Sequence, residues 1–81
     1  MRLDFKPYAM IFTDAVSICD VYFIIIDEDA GTIECNDQFG MVIGLIYYKD
    51  CEEVGYIKYN HFEELTGDSE IIVENGKLKI N

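Results

Sequence analysis

Positive charge is what this chain lacks. Six Lys and Arg stand against sixteen Asp and Glu in 81 residues, a formal net charge of −10 at neutral pH. Between Pro7 and Tyr48 there is no Lys or Arg, while seven carboxylates fall there: Asp14, Asp20, Asp27, Glu28, Asp29, Glu34 and Asp37. Such a surface repels a phosphate backbone, which argues against direct binding of nucleic acid. Long apolar runs are also missing. Val21–Ile26 has six residues and Phe39–Tyr48 ten, with Gly40 and Gly44 inside, whereas a bilayer-crossing helix needs about 20. No membrane association is expected. Met1–Pro7 lacks the apolar stretch of a signal peptide, so the cytoplasm is the expected location. The cysteines Cys19, Cys35 and Cys51 are odd in number and sixteen apart. That spacing fits neither a disulfide framework nor a zinc site, and reduced thiols suit the same compartment.

What is present is enough to fold. Apolar residues make up 51% of the chain and aromatics 14%, well outside the composition of a disordered acidic tail. No repeat, low-complexity tract or Pro/Gly-rich linker divides residues 1–81, so one acidic domain is expected. At this size the core is thin, contributing about 3 to 5 kcal/mol.

Local patterns point to strands. Asn75-Gly76 supplies the two positive φ angles of a type I′ turn between Glu70–Glu74 and Lys77–Ile80, a hairpin in which Lys77 and Lys79 can meet Glu70 and Glu74. Val21–Ile26 is β-branched and aromatic throughout, and Thr32–Cys35 can return antiparallel after the polar turn Asp27–Gly31. Phe39–Tyr48, bent or bulged at Gly40 and Gly44, Val54–Tyr59 and Tyr8–Phe12 complete the set. One short helix is expected over Asn60–Thr66, with Asn60 as cap, Glu63 in the capping-box position and Gly67 as stop. Thr13–Asp20 is ambiguous, since Thr13 or Asp14 could cap a short helix through Cys19. The fold class is mainly β, a small antiparallel barrel or curled sheet of about six strands with one short helix.

The segment Gly55-Tyr56-Ile57-Lys58-Tyr59-Asn60-His61-Phe62-Glu63-Glu64-Leu65 resembles the end of a Src homology 3 domain. In that family a Gly-aromatic-Ile strand runs into Pro-x-Asn-Tyr on a single helical turn. Lys58 stands at the position of the family's ligand-binding proline and His61 at that of its tyrosine, and the tandem tryptophans are missing. The resemblance implies a barrel of similar topology and does not carry Pro-rich peptide binding with it.

No constellation points to catalysis, a metal or a cofactor. Clustered acids at Asp27, Glu28 and Asp29 with Gly31 suit calcium, but on the twelve-residue loop template the fifth position is Gly31 and the twelfth Gln38, so the spacing fails. A glycosidase needs two carboxylates across a cleft that so short a chain can hardly wall. His61, the only histidine, has no triad around it. Gly40-x-x-x-Gly44 has neither the lysine nor the spacing of a phosphate loop.

The surplus acid therefore directs the functional expectation toward a cationic protein surface. Carboxylates two apart on a strand lie about 6.6 to 6.8 Å apart, on the scale of successive phosphates. The expected function is a non-enzymatic acidic inhibitor that occupies the basic groove of a nucleic-acid-handling protein, a nuclease or nucleoprotein, as phage anti-defence proteins do. The contact residues are Asp27, Glu28, Asp29, Glu34, Asp37, Glu52 and Glu53. Tyr47 and Tyr48, adjacent on a strand, face opposite ways, and Tyr48 is assigned to the contact surface. The turn acids Asp27, Glu28 and Asp29 are expected to be replaceable with little effect on folding. The alternative is a β-barrel accessory or immunity module that binds its partner through an apolar edge.

Overall fold

The computed structural model describes residues 1–80. Seven strands form one antiparallel sheet: β1 (Arg2–Thr13), β2 (Ser17–Asp27), β3 (Thr32–Asn36), β4 (Val42–Tyr47), β5 (Glu53–Tyr59), β6 (Leu65–Glu74) and β7 (Lys77–Leu78). Their order across the sheet is β4-β3-β2-β1-β5-β6-β7, so β1 lies at the centre and β4 and β7 at the edges. Among the described residues the only helical element is a 3₁₀ turn at Tyr48–Asp50, and no helix is long and apolar enough to cross a membrane.

The sheet has no second layer and covers its apolar face by curling. The bend is written into the register of β1 and β2. Asp4 faces Phe23 and Ala9 faces Val21, so five steps along β1 match two along β2; between Ala9 and Ile11 the surplus moves to β2, where Ile11 faces Ile18. Asp20 takes a φ of 58° within that second irregularity, as bulged residues do where a strand turns sharply. Beyond the bend β1 pairs on its other side with β5, from Ala9↔Lys58 to Thr13↔Val54.

Inside the curl lie Phe5, Ala9, Ile11, Val21, Ile24, Ile26, Ile33, Cys35, Ile46, Tyr48, Val54, Ile72 and Val73. The two-residue period selects them: Ile24 and Ile26 point in while Ile25 points out, and Ile33 and Cys35 point in with Glu34 between. Asn36 is buried too, and its Nδ2 donates to the Glu34 carbonyl at 3.2 Å. Gly55 is required by close approach, because a Cβ there would lie 2.7 Å from the Glu70 carbonyl oxygen and 2.5 Å from Cζ of Phe12.

The hairpin at the end forms as expected, with Glu74 opposite Lys77 and Val73 opposite Leu78. Asn75 and Gly76 both have positive φ, 52° and 75°. Of the anticipated ion pairs only Lys79–Glu74 forms, at 3.3 Å. The expected helix at Asn60–Thr66 is instead a tight turn leading into β6. The Asn60 carboxamide oxygen does accept backbone N–H groups, from Phe62 at 2.8 Å and Glu64 at 3.1 Å. Yet Glu63 adopts φ 60° and the chain reverses, bringing Leu65 opposite Tyr59. Helical structure thus precedes the Gly55-Tyr56-Ile57 strand rather than following it, the reverse of the order implied by the Src homology 3 resemblance. Thr13 likewise closes a turn, its Oγ1 accepting from the N–H groups of Ala15 and Val16. Phe39 and Gly40 belong to the β3–β4 turn, and β4 starts at Val42.

Candidate functional site

Three turns meet at one end of the molecule. The Gly31 carbonyl in the β2–β3 turn accepts the Tyr48 N–H at 3.1 Å, joining that turn to the 3₁₀ turn. The carbonyls of Cys51 and Glu52 accept the N–H groups of Gly76 at 2.9 Å and Asn75 at 2.7 Å, which seats the β6–β7 turn on the same segment. A Cβ on Gly76 would lie 2.6 Å from the Lys49 carbonyl oxygen, so only glycine lets the two backbones approach this closely.

This convergence gathers Asp27, Glu28, Asp29, Asp50, Glu52, Glu53 and Glu74 at one end, together with Lys49, Lys77 and Lys79. Only Lys79 makes an ion pair, with Glu74. Lys49 lays its aliphatic stem across Gly31 without pairing with any of these acids. Glu53 and Glu74 stand directly opposite each other across β5 and β6, a like-charge pairing that costs stability. Over all the described residues, ion pairs engage only Glu74 and Asp4, the latter through Arg2 at 3.0 Å, and both are exposed.

The sequence-derived contact residues separate into two groups. Asp27, Glu28, Asp29, Glu52 and Glu53 come together at this end, all exposed. Asp27 also has a local task, its Oδ1 accepting the Ala30 N–H at 3.0 Å. Glu34 lies instead in mid-strand on the outer face of the sheet, opposite Ile25 and Leu45. Asp37 lies past the far end of β3, where its Oδ1 ties the next turn by accepting from Phe39 and Met41, each at 2.9 Å. Tyr48 is only 3% exposed and belongs to the core, so it offers no contact surface; Tyr47 is the outward member of the pair. Burial first, and then Glu28, Asp27 and Asp29, push the Tyr48 phenol above its ordinary value. Asp50 and Glu74 complete the group. Neither is among the contact residues expected from the sequence, because only the contact between the 3₁₀ turn and the β6–β7 hairpin brings them in.

A second exposed feature is the edge strand β4. Val42, Ile43, Leu45 and Tyr47 are all exposed and, with Phe39 and Met41 just before them, form a charge-free apolar border. Natural edge strands are commonly guarded by charge or proline, and this one carries neither.

Among the described residues no three His, Cys, Asp or Glu side chains converge on a metal-sized site. Cys19, Cys35 and Cys51 are free thiols, exposed, buried and half-buried respectively. No family model, curated protein or solved structure matches this chain.

Proposed function

We propose that this chain is a non-enzymatic binding protein that captures a basic protein surface with its acidic end and competes there with nucleic acid. The supporting observation is the meeting of the β2–β3, 3₁₀ and β6–β7 turns, which concentrates seven carboxylates with a single ion pair among them. Exposed carboxylates held by the fold in a fixed array repel one another, and a cationic partner relieves that repulsion. The mechanism is steric and electrostatic: Lys and Arg side chains that would meet phosphates meet Glu28, Asp29, Glu52 and Glu53 instead. In this reading the protein acts as an inhibitor of a nuclease or other nucleoprotein in the cytoplasm, the anti-defence role typical of phage-encoded acidic proteins. Immobilised protein should retain a basic nucleic-acid-binding protein from lysate at low salt, and added DNA should displace it. Retention that ignores DNA and salt would remove this function.

The bare β4 edge favours a second reading. An extended segment of a partner could add to β4 through backbone hydrogen bonds, with Ile43, Leu45 and Tyr47 flanking it. That mode is insensitive to salt, and Leu45→Lys would abolish it while leaving capture by the acidic end intact.

A further inference from the structure

A separate recess lies at the bend of β1, and it is built from tyrosines. Tyr8 stacks on Tyr22 of β2 with ring centroids 5.5 Å apart and planes at 24°, and packs on Tyr59 of β5 at 4.6 Å. Two adjoining depressions share Tyr8, Tyr22 and Glu63. The wider, about 530 Å³, runs toward Lys6, Pro7 and His61. The narrower, about 280 Å³, is completed by Asp20, Asp37, Gln38 and Phe39, and no Lys or Arg lines it. That volume lies just below the usual range for a drug-sized ligand and suits a single side chain.

Its carboxylates are placed by unusual backbone. Asp20 is part of the β2 bulge and Glu63 is the corner of the turn after β5, with φ of 58° and 60°. A left-handed conformation is tolerated by Asp and is unfavourable for Glu, so two such residues meeting at one recess mark a geometry the fold holds against local preference. Neither is ion-paired. Both act on the same ring: burial first, then Glu63, Asp20 and Tyr22, raise the Tyr8 phenol above its ordinary value. Asp37 adds negative charge, although its Oδ1 already serves the β3–β4 turn.

Aromatic faces attract cations through their quadrupole, and carboxylates at the rim add direct charge. A guanidinium satisfies both at once, because its plane stacks on a ring while its N–H fork reaches carboxylate oxygens. A compact ammonium uses the charge but stacks poorly. We propose that the narrower recess, walled by Tyr8 and Tyr22 with Asp20 and Glu63 at its rim, receives an arginine side chain of a protein partner. The inference rests on the reading of this chain as a binder of basic proteins and deepens it by naming a recognition pocket away from the acidic end.

The test is a titration of ¹⁵N-labelled protein at low salt with the peptide Gly-Arg-Gly-Arg-Gly, and with versions carrying lysine or citrulline in place of arginine. Amide shifts should centre on Tyr8, Asp20, Tyr22 and Glu63, with the lysine peptide weaker and the citrulline peptide not binding. Asp20→Asn with Glu63→Gln keeps shape and, at Asp20, left-handed tolerance; this pair should raise Kd about tenfold. Tyr22→Leu, which leaves every charge in place, should weaken arginine more than lysine, and the dispersion of each variant's spectrum reports its folding. Equal binding of the citrulline peptide, an unchanged Kd in the Asp20/Glu63 variant, or shifts confined to residues 27–31 and 48–53 would each overturn the pocket. The last result would leave the acidic-end function standing, whereas lysate capture that survives charge reversal at that end would count against the function and not the pocket.

Discussion

Individual residues carry this fold at positions where one more atom does not fit. Gly55 is the sharpest case: its missing Cβ faces both a side chain, Phe12, and a backbone carbonyl, Glu70, and the carbonyl is part of the β5–β6 ladder and cannot move away cheaply. Gly55→Ala should therefore destabilise by about 1 to 3 kcal/mol in urea unfolding. Gly40, with a φ of 79° and nothing near its Cβ position, should lose only about 1 kcal/mol as alanine, from backbone conformation alone. Cys35 makes a second residue-scale prediction. Burial chiefly, and Glu34 secondarily, push its thiol up from 9.0 to about 12. Below the unfolded value both states keep the proton and the stability contribution is complete. Between about 9 and about 12 the unfolded chain releases a proton that the folded chain retains, so stability falls as pH rises. The phenols of Tyr8, Tyr48, Tyr56 and Tyr59, also raised by burial, act in the same direction at higher pH. The urea midpoint of the native protein should drop from neutral to strongly alkaline pH, and the drop should be smaller in Cys35→Ala; equal slopes would contradict the assignment.

At the scale of elements, what was legible in the sequence was local. Asn75-Gly76 dictates its own turn, and the β-branched and aromatic run Val21–Ile26 dictates its own extended backbone, so both are read without knowing the partner strand, whereas three identical residues, Ile24, Ile25 and Ile26, do not say which face is buried. Asn60 shows the limit. A carboxamide that accepts N–H groups two and four residues on serves a helix cap and a tight turn alike. The choice is made by pairing of Leu65 with Tyr59, a contact the polar, exposed stretch at the start of β6 does not advertise. Asp27 shows a different limit. Its role in the turn was hidden by its charge, so the three acids of the β2–β3 turn are not equivalent. Asp27→Lys removes the bond to the Ala30 N–H and should cost about 1 kcal/mol. Glu28→Lys and Asp29→Lys, which carry none of the turn's side-chain hydrogen bonds, should leave the thermal midpoint unchanged or raise it by reducing repulsion. Thermal melts of the three single variants decide this, and an equal loss in all three would contradict it.

For the whole molecule, surplus charge is a strain on the folded state as well as a means of recognition. Among the described residues, ion pairs engage two of the sixteen acids, both at exposed positions where such pairs contribute little. Screening should therefore stabilise this protein: raising sodium chloride from a few millimolar to several hundred should raise the melting temperature, because self-repulsion is reduced and few attractive pairs are lost. A fall with salt would mean that attractive pairs dominate. The position of the charge was only half legible. Asp27, Glu28 and Asp29 are neighbours in any fold, but Glu52, Glu53, Asp50 and Glu74 join them only because the sheet curls at the β1–β2 irregularities and lays the final hairpin on the 3₁₀ turn. Glu34 and Asp37 shared the sequence bias and were left elsewhere by the same curl.

The most direct test of the account is capture from lysate by the native protein and by Glu28→Lys/Asp29→Lys/Glu52→Lys, a variant that spares Asp27 and its turn, at low and high salt. The native protein should retain a basic nucleic-acid-binding protein that elutes as salt rises, and the folded triple variant should not. Equal retention of the same partner by both proteins at every salt concentration would contradict the claim that the acidic end does the binding.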